Sequence, residues 1–278
     1  MEGPIERAAS SDAPRPDEPP AGPPRHVVRR RRSATATTIG VTGDLLLTAG
    51  VLVLAFLGWQ LYLNNDIEGG QHQAAANALN QSWAAGDGGK QVGTVTKPGQ
   101  GAPSADVAVY QGTPQRAQVF ATLIIPKFGP AWQRIIAEGT DASVLSKYGI
   151  GHYTGTALPG ELGNFAIASH RDIDGAAFQN IDLLDVGDSM YIETQDGWYR
   201  YVFRSHTVVP ATAYQAVAAV PFAPDLAPDD RYLTLTTCSP KWTSTERLIV
   251  YGVFDSFTPR ADGPPAEIAG MYANGGSA

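Results

Sequence analysis

The sequence has little cysteine, little charge and no basic excess. A single cysteine among 278 residues excludes an intramolecular disulfide and any zinc site built from several cysteines. Only 17% of the residues are charged, which is low for an acidic solvating tail or a helical array. A formal net charge of −7 and a pI near 5.2 argue against a nucleic-acid-binding protein. The 30 glycines and 21 prolines instead indicate a loop-rich β protein with disordered flanks.

Charge is distributed unevenly along the chain. Residues 1–38 carry seven Lys/Arg and five Asp/Glu, whereas residues 64–278 carry thirteen and twenty-one. The first segment is rich in Pro, Ala and Ser, shows no apolar periodicity, and contains four consecutive arginines at 29–32. This composition predicts that residues 1–38 form a disordered arm.

One long hydrophobic run follows the arginines. No charged residue occurs from Leu45 to Leu63, and nineteen helical residues span about 28 Å, close to the roughly 30 Å of a bilayer core. The run is longer than the apolar region of a cleavable signal peptide. We therefore predict a transmembrane anchor over residues 39–63, and the chain after it shows no second run of this kind. The arginines before the run, with Asp66 and Glu68 after it, predict a cytoplasmic N-terminus and an extracellular C-terminal part, as in a single-pass type II protein of the cell membrane.

The remaining chain divides into three segments. Residues 64–117 are polar and are predicted to form an extracellular linker or N-terminal extension with a helix near 73–83, and residues 258–278 are predicted to be a disordered tail. Between them, residues 118–257 show recurrent β patterns and two short helical segments, at 142–148 and 178–184. Many short strands of this spacing indicate an all-β sandwich or closed barrel. The predicted strands cover residues 119–125, 165–169, 190–194, 198–205, 232–238 and 247–254.

Three reactive residues stand at strand ends. Cys238 ends a predicted strand, His170 directly follows one, and Arg247 opens the strand after the cysteine. On position alone, Cys238 could equally be a buried small hydrophobic residue. The histidine favours chemistry, because a cysteine nucleophile needs a base or an imidazolium partner. A guanidinium can stabilise the oxyanion of a tetrahedral intermediate, so the three residues indicate an acyl-transfer site.

Two sequence blocks resemble a known family. Residues 234–238 (TLTTC) followed by Arg247 resemble the TLxTC…R signature of sortases, and residues 151–171 (GHYTGTALPGELGNFAIASHR) resemble the family's GHY…PG…GN…HR block. The order and spacing of these blocks and the N-terminal anchor agree with the family. The resemblance covers roughly residues 120–256.

The resemblance implies a fold and an activity. The fold is a closed eight-stranded sortase-type β-barrel with short helices, preceded by one transmembrane helix. His170, Cys238 and Arg247 match the catalytic residues, and Thr237 matches the residue before the cysteine that can contact substrate or oxyanion. The implied reaction cleaves an LAxTG- or LPxTG-like C-terminal sorting signal of a surface protein between Thr and Gly. The acyl group passes through a thioacyl enzyme to a cell-wall precursor amine, or less often to a pilin lysine, without a cofactor or metal.

The subclass implied is class E. An N-terminal anchor, a tyrosine after the upstream histidine and the lack of a C-terminal span fit this class, while an inhibitory lid motif of class C is not found. Classes D and F stay open, and no acidic loop indicates a calcium site.

Further residues are candidates for substrate contacts or for purely structural roles. Tyr153 is a candidate for binding the sorting motif. His152 is a second candidate, with a structural turn residue as its alternative. Arg171 and Asp172 are predicted to be a solvated pair at a strand end. Three groups complete the set: surface histidines (His72, His206), turn residues (Asn180, Asp182) and possible motif contacts in the 208–228 loop (Ala213, Tyr214, Val220).

Two other classes of protein share part of this pattern. L,D-transpeptidases are also exported cysteine enzymes, but their histidine and cysteine lie close together in the sequence. His170 and Cys238 are 68 positions apart, which argues against this class. A catalytically silent binding barrel on a membrane anchor has the same sequence pattern, and only activity with and without Cys238 separates it from an enzyme.

Overall fold

The computed structural model describes residues 34–59, 63–85 and 107–273. The predicted arm therefore lies almost entirely outside the described residues. The same holds for much of the predicted linker, from 86 to 106, and for the last five residues of the chain.

The first helix has the length and composition of a membrane span. Helix α1 covers Ala34–Gly58, and its part Thr37–Gly58 has 22 residues with a mean hydropathy of 2.0 and no buried positions. A helix satisfies its own backbone hydrogen bonds, so this apolar segment can cross a bilayer without unpaired polar groups. This helix is the candidate for the predicted anchor.

The domain after the helix is a closed β-barrel, which confirms the predicted fold. Its strands are joined in the order β1-β2-β3-β4-β7-β8-β6-β5, and β5 pairs with β1 to close the barrel. The β2–β3 and β4–β7 pairs are parallel, and the others are antiparallel. The strands are β1 Val119–Ile124, β2 Gln133–Glu138, β3 Ile150–His152, β4 Gly163–Ser169, β5 Ser189–Thr194, β6 Gly197–Pro210, β7 Arg231–Ser239 and β8 Glu246–Pro259.

Alternating side chains of the strands fill the barrel. The interior contains Phe165 and Ile167 from β4 and Leu233 and Leu235 from β7, all 1% exposed or less. Because side chains alternate across a strand, residues two apart from these point inward too, and the intervening residues face outward. Cys238 therefore lies on the outward face of β7, in the same set as Thr234 and Thr236.

Two strands, β2 and β3, were not predicted from the sequence. Between β2 and β3 lies helix α3, Ala142–Tyr148, as predicted, and Asp141 caps it by accepting a hydrogen bond from the Ser143 amide at 3.2 Å. β2 begins and ends with polar residues and β3 has only three residues, so neither carries a clear alternating pattern. The second predicted helical segment is a single 3₁₀ turn at Ile181–Leu183.

The polar segment after the predicted anchor contains a helix that packs on the barrel. Helix α2 covers Asn64–Ala85, a longer helix than the one predicted. The Asn80 side chain donates to Gln133 Oε1 of β2 at 2.8 Å, and Gln73 Oε1 accepts from the Gln133 amide at 3.0 Å. His72 is buried and not at the surface as expected, because it fits against two glycines, Gly149 and Gly175.

The chain after Thr258 also differs from the disordered tail expected. β8 continues to Pro259, and helix α4 follows at Ala269–Ala273. Ile268 is 1% exposed and packs against Ile124 and Trp198. A short apolar segment thus covers the outer side of the barrel, a contact that no local sequence pattern reveals.

Candidate active site

Cys238 and Arg247 lie opposite each other on two neighbouring strands. They are register partners in the antiparallel β7–β8 pair, at the end of β7 and the beginning of β8. Side chains directly opposite in such a pair have Cβ atoms about 4.5–5.5 Å apart. The cysteine is free and partly exposed. The strand pairing therefore brings a thiol and a guanidinium together at one rim of the barrel.

His170 reaches the same rim from the other side of β7. In the parallel β4–β7 pair, Ala168 is the partner of Thr236. His170 lies two residues after Ala168, and Cys238 lies two residues after Thr236. Because side chains alternate along a strand, both are on the same face. The three predicted catalytic residues are thus brought together by adjacent strand ends, with the cysteine between the other two.

A carboxylate accompanies the histidine. His170 Nε2 lies 3.4 Å from Asp174 Oδ2, and both side chains are about a quarter exposed. The same carboxylate oxygen accepts a hydrogen bond from Ser146 Oγ at 2.5 Å. Asp174 lies four residues after His170 at a φ of +52°, so the intervening loop turns back on the ring. Asp174 was not predicted as a partner from the sequence, because the four-residue spacing implies a contact only if the loop adopts that turn.

The guanidinium of Arg247 is held by its own loop. Its Nη1 donates to the carbonyls of Ser244 and Glu246, both at 2.9 Å. These bonds fix one edge of the planar group, which is what an oxyanion-binding arginine requires. The loop from Ser239 to Glu246 therefore determines where the arginine points.

Thr237 connects the strands that carry the cysteine and the histidine. It is buried, and its Oγ1 donates to the Ser169 carbonyl at 2.8 Å. Ser169 directly precedes His170, so this bond fixes the end of β4 against β7. The hydroxyl predicted to contact substrate is engaged in a bond within the protein.

Tyr153 lies on the outward face beside the cysteine strand. Its hydroxyl forms a 2.9 Å hydrogen bond with Thr236 Oγ1, two residues before Cys238, and its side chain is partly exposed. A ring face and a hydroxyl at this place can contact an extended peptide that leads to the cysteine.

His152 is placed differently from the substrate-binding role expected. It is 2% exposed, its Nδ1 lies 2.6 Å from Glu138 Oε2, and its Nε2 lies 2.9 Å from Thr156 Oγ1. The ring stacks on Phe165 at 5.0 Å. Burial raises the pKa of Glu138, but hydrogen bonds from His152 and Thr154 outweigh it, so the pKa lies below its usual value. With its ring buried and both nitrogens engaged inside the protein, His152 has the contacts of a structural residue.

Arg171 and Asp172 are not the solvated pair expected from the sequence. Arg171 is buried, forms an ion pair with Asp182 at 3.0 Å, and donates to the Cys238 carbonyl at 3.4 Å. Asp172 accepts a hydrogen bond from the Trp242 amide at 2.7 Å. Both residues therefore contact the segment that carries the cysteine. Asp182, predicted as a turn residue, is the counterion of Arg171.

The other candidate positions lie in the 208–228 loop. β6 continues to Pro210, which is the partner of Glu246 at the reactive rim, and the loop then returns to the beginning of β7. The Asn164 side chain donates to the Ala218 carbonyl at 3.0 Å, so the loop is fixed to β4 far from Cys238. Tyr214 is 78% exposed. Within the described ranges, no three metal-binding side chains cluster.

These groups together can perform acyl transfer through a thioester. A partly exposed thiol, an imidazole with a carboxylate beside it, and an anchored guanidinium are the nucleophile, the acid–base group and the oxyanion donor of such chemistry.

Comparison with known proteins gives one consistent family. The Sortase domain family matches residues 123–255. Sortase SrtE1 of Streptomyces coelicolor is 33% identical over 250 residues, covering 87% of this chain and 64% of that protein, which is less than two thirds of its length. Sortase SrtE2 of the same organism is 30% identical over 251 residues, covering 86% of this chain and 92% of that protein.

Solved structures agree with the sequence comparison. The SrtA sortase from Actinomyces oris is 35% identical with a TM-score of 0.55, covering 59% of this chain and 94% of that one. Sortase E1 from Streptomyces coelicolor, with a tripeptide in its active site, is 35% identical with a TM-score of 0.51, covering 56% and 99%.

Proposed function

The chain belongs to the sortase family of cysteine transpeptidases and resembles its class E members, and from this premise we propose a specific reaction. The protein is a membrane-anchored enzyme that cleaves an LAxTG- or LPxTG-like C-terminal sorting signal between Thr and Gly. It transfers the acyl group to the amine of a cell-wall precursor. The observation that carries this proposal is the register of Cys238 opposite Arg247, with His170 at the end of the adjacent strand.

The first half of the reaction forms a thioester. The Cys238 thiolate attacks the carbonyl carbon of the signal threonine, and the negative charge that develops on the carbonyl oxygen is stabilised by Arg247. When the Thr–Gly bond breaks, the leaving glycine amine takes a proton from the imidazolium of His170. Asp174 keeps the ring oriented during this transfer.

The second half releases the product. The acceptor amine attacks the thioester carbon, His170 takes its proton, and Cys238 leaves as a thiolate that the imidazolium again accompanies. One histidine therefore serves both directions of proton transfer.

The sorting signal is proposed to lie along the outward face of β4 and β7. Tyr153 contacts it beside Cys238, and the 208–228 loop borders the groove. The tripeptide in the active site of the Streptomyces coelicolor relative supports a peptide substrate.

Product analysis by mass spectrometry tests this function. The full-length chain in detergent is incubated with LAxTG and LPxTG peptides and a glycine amide. The expected result is a Thr–glycine amide product, which is lost in Cys238→Ala. Peptides that stay intact with the unaltered chain would refute the function and leave a membrane-anchored binding barrel. A transfer product formed with a lysine amine and not with glycine would favour a pilus-related sortase.

The proposed topology places the barrel outside the cell. The arginine cluster at 29–32 before the apolar segment Thr37–Gly58 supports a cytoplasmic N-terminus. Protease treatment of intact cells should digest residues 64–278 and spare an N-terminal epitope tag. Digestion of the tag with a protected barrel would reverse the topology.

A further inference from the structure

Asp172 joins three segments that meet at the reactive rim. It follows His170 by two residues, its Oδ2 accepts a hydrogen bond from the Trp242 amide at 2.7 Å, and its carbonyl accepts one from Asn65 Nδ2 at 2.8 Å. Trp242 lies in the loop between Cys238 and Arg247, and Asn65 lies in the first turn of α2. One residue therefore connects the histidine segment, the cysteine–arginine loop and the helix that follows the membrane span.

The bond to Trp242 supports a conformation that the loop does not favour by itself. Trp242 has a φ of +67°, which is rare for a bulky side chain, and it is 58% exposed, so packing on its ring contributes little. Within this turn, the Thr243 amide donates to the Pro240 carbonyl at 3.2 Å, and the Thr243 hydroxyl donates to the same oxygen at 3.0 Å. The 2.7 Å bond from the Trp242 amide to the Asp172 carboxylate is the shortest of the three, and hydrogen bonds to carboxylates are stronger than those between neutral groups.

The loop in turn sets the position of Arg247. The arginine Nη1 donates to the Ser244 carbonyl, two residues after Trp242, and to the Glu246 carbonyl. A shift of the turn at Trp242 moves the Ser244 carbonyl and with it the guanidinium. Misplacement by about 1 Å can cost on the order of 10²-fold in rate.

Helix α2 also contacts the segment that carries Asp172. Besides the Asn65 bond, the His72 ring fits against the backbone of Gly175, where an added Cβ would lie only 3.0 Å from Nδ1. Arg171, the neighbour on the other side, is fixed by its ion pair with Asp182. The segment that carries Asp172 is therefore held at both ends.

We propose that Asp172 is a positioning residue of the catalytic site, which holds the Ser239–Glu246 loop and thereby Arg247 in place, and that Asn65 of α2 supports it. The carboxylate bonds a backbone amide and not a reacting atom, so it acts through the loop. This proposal rests on the transpeptidase function above.

The test compares two variants with two matched controls in the full-length chain in detergent. Asp172→Ala removes the acceptor of the Trp242 amide, and Asn65→Ala removes the donor in α2. Asn64→Ala removes the adjacent asparagine, whose side chain donates within the helix, to Glu68 at 2.9 Å. Asp230→Ala removes a carboxylate that also accepts from a backbone amide, that of Arg231, at the opposite end of β7.

The first readout is kinetic. With active sites counted by alkylation of Cys238, we expect Asp172→Ala to lower kcat about 10- to 100-fold with the peptide KM changed less than about threefold. Asn65→Ala should lower kcat by a smaller factor, again with little change in the peptide KM. Both control variants should have kcat and KM values close to those of the unaltered chain. Asp172→Asn keeps an oxygen acceptor without the charge, so its kcat should lie between those of Asp172→Ala and the unaltered chain.

The second readout does not depend on activity. Hydrogen exchange of the Trp242 amide should be slow in the unaltered chain, fast in Asp172→Ala, intermediate in Asn65→Ala, and slow in both controls. If Asp172→Ala does not fold, Asn65→Ala and Asp172→Asn carry the same comparison.

Unchanged exchange at Trp242, or a loss confined to KM, would overturn the positioning role. Equal loss in Asn64→Ala would overturn the part of Asn65. A chain without transfer activity would refute the proposed function, while the exchange data would still decide this inference.

Discussion

Two polar regions of the barrel differ in whether their polar groups are exposed to solvent or paired inside the protein. At the rim formed by the ends of β4 and β7 and the beginning of β8, Cys238, His170 and Arg247 are partly exposed. On the outer side of β5, Glu193 is fully buried and bonds Arg260 Nη2 at 2.8 Å and the Tyr272 hydroxyl at 2.7 Å. The first region offers its functional atoms to an incoming molecule, whereas the second pairs them internally.

The two regions separate polar groups that serve chemistry from polar groups that serve stability. A buried carboxylate is costly unless partners compensate it, so the Glu193 cluster is sensitive to loss of any member. Burial raises the pKa of Glu193, although Tyr272 and Arg260 counteract it. Changes at the rim should therefore alter rate without altering stability, and changes in the Glu193 cluster should do the reverse.

After loss of the nucleophile Cys238 itself, the largest expected effect at the rim comes from His170→Ala. Both proton transfers depend on this ring, and general acid–base catalysis contributes about 10²–10⁴-fold. We expect kcat for transfer to fall by such a factor while the melting temperature stays within about 2 °C. His206→Ala, which removes an exposed histidine, is the control for steady-state kinetics. Activity within threefold of the unaltered chain would exclude His170 as the acid–base group.

Arg247→Lys should also reduce the rate strongly. Loss of one oxyanion donor costs about 10²–10³ in kcat, and an ammonium group lacks the planar fork that bonds the loop carbonyls and the oxyanion together. The expected result is a lower kcat with a nearly unchanged KM for the peptide. A raised KM with normal kcat would reassign Arg247 to uniform substrate binding.

In the Glu193 cluster, a substitution should lower the free energy of unfolding and leave kcat unchanged. Glu193→Ala leaves Arg260, Tyr272 and Thr122 without their buried partner, and breaking a buried pair costs about 3–5 kcal/mol. Urea unfolding should report this loss, while kcat per correctly folded molecule stays normal. Asp229→Ala, at an exposed position, should change neither. A drop in kcat without a drop in stability would contradict the division between the regions.

The smallest expected effect is a pH dependence from His72. Burial lowers its pKa below 6.5, despite a hydrogen bond to the Lys147 carbonyl and the charges of Glu68 and Asp174, with Arg134 acting in the same direction as burial. The unfolded chain therefore binds the proton more readily. The stability of the neutral ring is fully present above about pH 6.5 and is lost as pH falls towards the lowered value.

Urea unfolding between pH 7 and pH 5 checks this dependence. The unfolding free energy should decrease with falling pH, and less steeply in His72→Gln. His206→Gln should keep the slope of the unaltered chain. Equal slopes in all three proteins would show that His72 does not contribute.

The reactive rim was predictable because strand patterns show where a strand ends. The alternation before Cys238 and the apolar run before His170 place both at strand ends, and the blocks around them identify the family. Asp174 and Arg171 were not predictable in their roles, because their contacts depend on how the loop after His170 turns. His72 looked like a surface residue because the glycines that receive it, Gly149 and Gly175, are distant in sequence. Ile268 looked like part of a tail because its partners lie on three other strands.

The central claim, that Cys238 forms a thioester at the rim, is tested most directly by intact-mass measurement of the enzyme during turnover. The full-length chain is mixed with an LAxTG peptide and quenched in acid after seconds. We predict a mass increase on Cys238 equal to the peptide fragment that ends at threonine less one water, which is the acyl group of the thioester. The increase should be absent in Cys238→Ala and should be lost when a glycine amide is added before the quench. Turnover of peptide without any adduct, or an adduct that forms in Cys238→Ala, would show that Cys238 is not the nucleophile.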